Sequence, residues 1–344
     1  MGISGGERPD QPRLDPGPLM KLSTAYWDSQ VLLTANRLGL FDVLADRTLD
    51  AQAVAAALKT APRPTRLLLK ACVGLGLLEE NSAGFCNAPL SAAFLVSGRG
   101  AYMGNAIRYS DNLYNAWGAL ETALREDRPA MAPETYLGRD AQKTRDFVYG
   151  MHDRALGIGR AMVGLVDLAG RRHMLDVGGG PGTYSALLVQ RYPDLQSVVL
   201  DLPDVVAIAA EIVAGMGVRE RVATLPGDYM KTPFPSEMDV VMISGVFHRE
   251  TEATCRDLIR RAAASLVPGG LLLISDVFTD AGGAHPVFAA LFGLNMMLTA
   301  PDGGVHADAD AARWMAEAGF STQVRPFPPP MPHRMVIGEK RRAG

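Results

Sequence analysis

The sequence predicts an α/β protein built on a Rossmann-like, doubly wound and mostly parallel sheet, preceded by a mainly α winged-helix domain. Three observations carry that prediction. From His173 onward, short apolar strand-like segments alternate with helical ones. The first of these strands, Met174, Leu175 and Val177 around Asp176, runs into Gly178, Gly179, Gly180, Pro181 and Gly182, and the helix-forming segment Ser185–Arg191 follows. Upstream, two helical segments and a short wing occupy residues 50–86.

The 344 residues suffice for two domains of the usual ~100–200 residues each. With 48% hydrophobic and 21% charged residues, the chain can bury a large core. A net charge of −3 gives no general attraction for nucleic acid or an anionic membrane. Cys72, Cys86 and Cys255 are too widely spaced for a disulfide framework or a metal knuckle. No apolar run approaches the ~18–20 residues of a membrane span. Residues 1–19 carry several Gly and Pro and no apolar signal core, and read as a disordered tail on a cytoplasmic protein.

Taken in order, residues 20–105 are expected to form the winged-helix domain. Leu22 to Leu44 is helical around a turn at Gly39. Asp50 caps a short helix through Leu58, and Thr60 caps another from about Arg63 to Leu75, stopped by Gly76. Leu78, the turn Glu80–Gly84 and Phe85 make the wing. Lys59, Arg63, Arg66 and Lys70 raise the reading of a DNA-binding regulator. The helix that carries them is dominated by Leu67, Leu68, Leu69, Cys72, Val73 and Leu75, which want protein neighbours on more than one side. A dimerisation or scaffold role is therefore expected.

Residues 106–170 are expected to be a helical linker with substrate-pocket helices, interrupted at Pro129 and Pro133 and closing with a long helix from Asp140 to Leu168. Residues 171–344 are expected to form the sheet domain. Its further strands are Ser197–Leu200 ending at Asp201, Val222–Leu225, Val240–Ile243, and Leu271–Ser275 ending at Asp276. A helix from about Thr251 to Leu266 stops at Pro268-Gly269-Gly270. Two β-prone pieces, near Gln323–Val324 and Met335–Gly338, suggest an antiparallel edge pair.

Glycines this dense belong where a backbone turns sharply beneath an approaching ligand, and in such sheets the turn after the first strand holds a nucleotide-like molecule. A dinucleotide site wants G-x-G-x-x-G; counted from Gly178 and Gly180, its third glycine falls on Thr183. What stands here instead is acidic-x-G-x-G-x-G, formed by Asp176, Gly178, Gly180 and Gly182. It resembles the motif of S-adenosylmethionine-dependent methyltransferases, whose ligand has no pyrophosphate. Asp201, at the end of the second strand, is placed to accept from both ribose hydroxyls. Asp228 follows the third strand and can accept from the adenine amino group, with Tyr229 or Met230 as a flat apolar surface.

LDVGGGPG (175–182), LDLPDVV (200–206), GDYM (227–230), FHRE (247–250) and LVPGGLLLISD (266–276), with NAPLSAAFLV (87–96) upstream, together resemble the small-molecule O-methyltransferases of plant secondary metabolism and bacterial natural-product pathways. The resemblance covers almost the whole chain. It implies transfer of a methyl group from S-adenosylmethionine, leaving S-adenosylhomocysteine, to a phenolic or enolic hydroxyl of an aromatic or polyketide-like acceptor. It also implies an intertwined homodimer whose N-terminal helices help cover the partner's pocket, with neither nucleic acid nor membrane as a partner and no metal. The cofactor residues it implies are Asp176, Gly178, Gly180, Asp201, Leu202, Gly227, Asp228, Tyr229, Met230 and Ser244. His248 falls where the catalytic base sits and Asp276 where an acid orients it. Phe147, Met151, His152, Asn295 and Met297 fall on segments that line the acceptor pocket.

The chain departs from the family pattern in three places. His248-Arg249-Glu250 replaces the common His-Asp-Trp, and Ser244 stands where many plant members have lysine. In the loop Asp302–His306, His306 occupies the place of a second acid flanking the base, with Asp308 two residues on. His306 is therefore a candidate catalytic residue, and a C-methylating, N-methylating or non-methylating variant of the chemistry stays open. As a metal set, His248, Asp276 and His306 would make two histidines and one carboxylate.

The base follows from the chemistry. A phenol, with a pKa near ~10, is a poor nucleophile at pH 7 until it loses its proton, whereas imidazole, near ~6.5, is available as a neutral acceptor.

Overall fold

In the computed structural model, which describes residues 14–135, 137–138 and 140–342, the chain divides into two units between Gly100 and Ala101. The first helix, α1 (Gly17–Thr24), starts on a proline-rich step in which the Asp15 carboxylate accepts from the Gly17 N–H at 2.8 Å. Proline's fixed φ suits a helix's first turn. Residues 17–19 are therefore helical, which corrects the expectation of a disordered tail there; residues 1–13 lie outside the described residues.

Next come α2 (Tyr26–Arg37) and α3 (Leu40–Val43), separated by Gly39 at φ +74°. Asp50 caps α4 (Ala51–Leu58) as expected, accepting from the Gln52 and Ala53 N–H groups. The following helix, α5 (Pro62–Gly74), has Ala61 at its cap position rather than Thr60. The Thr60 hydroxyl instead meets that of Thr65 at 2.6 Å, and Pro62 supplies the first-turn geometry. Strands β1 (Leu78–Asn81) and β2 (Gly84–Asn87) form the antiparallel wing, and α6 (Pro89–Phe94) closes the unit. Leu69 and Cys72 of α5 are buried, while Lys70 is paired with Glu80 of the wing and lies over Phe85.

The second unit opens with α7 (Gly104–Asn112), α8 (Tyr114–Gly118), α9 (Leu120–Glu126) and the long α10 (Ala141–Val163). Asp140 caps α10 through the Gln142 and Lys143 N–H groups. The helix ends at Val163, short of the expected Leu168, because Gly164 and Leu165 bond back three residues and so close it. Val166 and Leu168 then turn into the core. A Cβ on Gly150 would lie 3.1 Å from the Asn105 carbonyl oxygen and from Tyr109 Cβ, so glycine allows α7 to lie close against α10.

The sheet consists of β3 (His173–Val177), β4 (Gln196–Asp201), β5 (Val222–Pro226), β6 (Met238–Ser244), β7 (Leu266–Val277), β8 (Phe320–Pro326) and β9 (His333–Lys340), in the order β5-β4-β3-β6-β7-β9-β8. Every pairing from β5 to β7 is parallel; β9 runs antiparallel to both β7 and β8, giving the expected edge pair. The connecting helices are α11 (Thr183–Arg191), α12 (Pro203–Gly215), α13 (Glu252–Ser265), α14 (Val287–Met297) and α15 (Asp308–Glu317).

Alternation along each strand feeds a core on either face. Val241, Ile243, Leu258, Trp314 and Phe320 fill one, and Met174, Leu188, Met242, Leu273 and Met335 fill the other. Each such side chain contributes about 1.5–3 kcal/mol by leaving water. One strand boundary differs from expectation. β7 begins at Leu266, which pairs with Met238, and runs through Pro268-Gly269-Gly270. An irregularity in the β6 pairing between Met238 and Val240 absorbs that segment, with Gly269 at φ +78°.

Candidate active site

The strand order reverses at β3, between β4 and β6, so the crevice at the carboxyl ends of these strands is the place this topology offers a ligand. Three hydrogen bonds tie those ends together. The Gly178 N–H donates to the Leu200 carbonyl at 2.8 Å, the Gly180 N–H to Asp201 Oδ2 at 2.8 Å, and the Gly227 N–H to the Asp201 carbonyl at 2.9 Å. Gly178 has φ +64°, and a Cβ there would lie 2.7 Å from Val246 Cγ2 and 3.6 Å from the Tyr229 ring. Both the conformation and the space require glycine.

Asp201 is anchored on two sides, since its Oδ1 also accepts from the Leu202 N–H at 2.7 Å. Burial raises its pKa, and those two backbone bonds pull it back. Each oxygen keeps lone-pair capacity for a diol. Asp176 lies underneath, fully buried, its Oδ2 accepting from the Ser185 hydroxyl at 2.6 Å while Oδ1 has no partner. Burial pushes its carboxyl up to about 7. Asp228 Oδ1 caps its own turn through the Met230 N–H at 2.9 Å. The Tyr229 phenol donates to Glu250 Oε1 at 2.6 Å, which holds the ring over Gly178, and Met230 is exposed. Gly227 is needed too: a Cβ there would collide with Thr232 at 2.2 Å. The Leu202 side chain turns away into a cluster with Val205 and Ile208.

These residues fit S-adenosylmethionine. The turn is open where only glycine leaves room, and Asp201 is fixed at the end of β4 with lone pairs left for a diol. The acids that edge the turn, Asp201 and Asp228, with Arg249 acting on Asp201, favour a cationic sulfonium over a pyrophosphate. Ser244, expected among the cofactor residues, lies beside the Tyr184 phenol and offsets part of the rise that burial gives it. Tyr184 was not anticipated as a site residue, although it stands two residues past the glycine turn; it is half-buried, and the charges of Asp176 and Asp276 both act on it.

On the other side of the crevice, a short 3-10 turn, Phe247–Arg249, follows β6 and presents His248. Its Nδ1 lies 2.6 Å from Asp276 Oδ1, with Asp276 nearly the last residue of β7. Burial alone would raise the Asp276 carboxyl. His248 and the backbone N–H groups of Val277 and His248 outweigh it and hold the carboxyl below its ordinary value. With Asp276 ionised, Nδ1 carries the proton and Nε2 presents a lone pair. Phe292 of α14, also unanticipated, meets the imidazole edge-on with centroids 4.9 Å apart.

His306 is not brought into that dyad. Its Nε2 donates to the Glu250 carbonyl at 2.9 Å, and its ring packs against Phe247 and Trp314. The structure thus engages His306, expected as a candidate catalytic residue, in bracing the loop that follows His248. Asp308 is paired with Arg334. Among the described residues, no three His, Cys, Asp or Glu side chains converge as a metal-ligating group.

The expected acceptor residues are more dispersed. His152 Nδ1 meets the Thr183 hydroxyl at 2.7 Å, placing it beside the glycine turn. Phe147 meets Tyr109 edge-on and joins the cluster of Val205 and Ile208. Asn295 Oδ1 accepts from Trp117 Nε1 at 2.9 Å, and Met297 packs with Trp117, Leu120 and Leu298. The structure therefore engages Phe147, Asn295 and Met297 in packing between helices, whereas Met151 lies half-buried on α10.

Comparison with known proteins is consistent across the chain. An O-methyltransferase domain model matches residues 117–321, and an O-methyltransferase dimerisation domain model matches residues 20–97. The 3-hydroxy-5-methyl-1-naphthoate 3-O-methyltransferase of Streptomyces sahachiroi is 33% identical over 94% of this chain and 95% of its own. The acetylserotonin O-methyltransferase of Mus musculus molossinus is 33% identical over 88% of this chain and 83% of its own. Human N-acetylserotonin methyltransferase, solved in complex with S-adenosylmethionine, superposes with a TM-score of 0.86 at 27% identity, over 96% of this chain and 100% of that one.

Proposed function

Because this chain belongs to the O-methyltransferase family that carries an N-terminal dimerisation domain, we propose that it methylates a hydroxyl of an aromatic, polyketide-like natural product, with His248 taking the hydroxyl's proton. The enzyme is an S-adenosylmethionine-dependent O-methyltransferase. When bound, S-adenosylmethionine supplies an electrophilic methyl group on a sulfonium.

The observation that carries the proton-transfer role is the 2.6 Å contact between His248 Nδ1 and Asp276 Oδ1. It leaves Nε2 as the acceptor, and nothing in the protein bonds to Nε2 among the described residues. As Nε2 gains the phenolic proton, the carboxylate stabilises the imidazolium and keeps the ring in place. Gly178, Asp201, Asp228 and Tyr229 hold the nucleoside end, and aligning the oxygen with the methyl supplies much of the remaining acceleration.

The Streptomyces relative, named for a hydroxynaphthoate, supports the acceptor class. Exposed Leu19, Met20, Leu22, Tyr26 and Trp27 on α1 and α2 support association of two copies through the N-terminal unit. Three free thiols suit a reducing cytoplasm. No helix of the described residues is long and apolar enough to cross a membrane.

The test is to incubate the purified protein with S-adenosylmethionine and a panel of hydroxynaphthalenes and hydroxynaphthoates, then assign the product by mass and NMR. A methoxy carbon that fails to form with His248→Ala supports the reading. A C-linked methyl would refute O-transfer, and undiminished turnover by His248→Ala would refute the base.

A further inference from the structure

Among the described residues, Arg154 is a cation with an aromatic ring and a hydroxyl for partners and no acid beside it. It lies on α10 three residues beyond Met151, hence on the same helix face. Its guanidinium stacks over the Tyr109 ring at 5.2 Å from the centroid, and Nη2 donates to the Ser110 hydroxyl at 3.0 Å. Both neighbours are brought there by α7, which lies against α10 at Gly150. Among the described residues Arg154 enters no ion pair. Burial lowers its pKa, the mark of a cation removed from water. Buried charges are ordinarily paired, because an isolated one forfeits its hydration without return.

His333 links this cation to the catalytic dyad. It opens β9 and pairs with Val277, the residue after Asp276. The charges of Asp276, His248 and Arg154 all act on it. Its Nδ1 is buried and has no hydrogen-bond partner. Burial lowers the imidazole to about 4, so at neutral pH it is uncharged and can donate one N–H.

We propose that Arg154 and His333 bind a carboxylate on the acceptor, so that the substrate class is a hydroxyaryl carboxylate whose hydroxyl faces His248 and whose acid group faces Arg154. The proposal rests on the methyl-transfer reading above and adds to it the recognition of a charge remote from the reacting oxygen. Arginine suits this task, since its planar fork meets both carboxylate oxygens while an aromatic face holds it in place. A neutral acceptor would leave the half-buried guanidinium without a counter-ion, so the site selects against it.

The probes are 3-hydroxy-1-naphthoate and its methyl ester. The wild type is expected to favour the acid in kcat/KM by about tenfold or more, as for a desolvated charge pair. Arg154→Met should reduce the acid-to-ester ratio to near one, and Arg154→Lys should keep part of the preference by retaining the charge. A merely structural arginine would lower both substrates together and leave the ratio intact. Equal handling of acid and ester by the wild type overturns the proposal, as does an unchanged ratio in Arg154→Met. Calorimetric binding of the acid and ester, without methyl donor, separates the two readings. If neither compound is methylated but the wild type binds the acid selectively and Arg154→Met does not, the carboxylate site stands and the methyl-transfer reading fails. If both compounds are methylated without preference, the reverse holds.

Discussion

Asp276 holds His248 at two points: Oδ1 lies 2.6 Å from the ring Nδ1, and Oδ2 lies 3.3 Å from His248's own backbone N–H. One carboxylate thus fixes the ring's tautomer and the turn that presents it. A strand end and a neighbouring loop are joined into a single unit, with Nε2 left without a hydrogen-bond partner among the described residues.

Replacing Asp276 with Asn keeps the shape but offers an amide that can donate to Nδ1 and so favour the other tautomer. We expect kcat to fall about 10²–10⁴-fold, as does removal of the base in His248→Ala. S-Adenosylhomocysteine affinity, read by calorimetry, should hold within about twofold for both variants, because the ligand's anchors lie on β3, β4 and β5. A comparable loss of affinity would show that the dyad also shapes the cofactor site.

Asp201→Ala removes the acceptor fixed by the Gly180 and Leu202 N–H groups. Two charge-assisted bonds to a ribose diol are at stake, so S-adenosylhomocysteine should bind about tenfold or more weakly. Gly178→Ala should weaken it as well, because φ +64° and the 2.7 Å approach to Val246 force the turn to shift. Unaltered affinity in Asp201→Ala would place the ribose contact elsewhere.

His306 braces rather than reacts. His306→Ala loses the bond to the Glu250 carbonyl and the packing on Phe247 and Trp314, at a cost of about 1–3 kcal/mol of stability. His306→Gln keeps an N–H donor and should recover part of the loss in thermal midpoint. The pH midpoint of kcat should not move in either variant, and a moved midpoint would return His306 to the chemistry.

Asp176 gives the ligand-free protein a pH signature. Its carboxyl is raised by burial to about 7 in the folded state, against ~3.9 unfolded. Between those values the native state binds the extra proton, so this group's stabilising contribution is full below about pH 4 and lost as pH rises through 7. Asp176→Asn removes that loss. Its thermal midpoint relative to wild type should therefore rise from about pH 4 to about pH 7 and level off above that. A difference that stays flat would mean that the buried carboxyl is already ionised at low pH.

Much of this protein was legible along the chain. Asp176, Gly178 and Gly180 announce their turn because a left-handed backbone and a close approach admit few residue types. Asp201, Asp228 and Asp276 are readable because each stands at or just past the end of an apolar strand, which places it at the sheet's carboxyl edge. The alternation of strands and helices sets the fold for the same local reason. The surroundings of His306 were not legible, because its place in a loop says nothing about where its ring points, and that was decided by the aromatic pocket of Phe247 and Trp314.

Local periodicity and backbone chemistry thus determined, from sequence alone, the sheet, the glycine turn and the acids that edge it. Only the tertiary structure decided which distant side chains meet: Asp276 with His248, Tyr229 with Glu250, and Arg154 with Tyr109 and Ser110. The physical reason is that a strand end is specified by its immediate neighbours, whereas a pocket is specified by packing between helices and loops far apart in the chain.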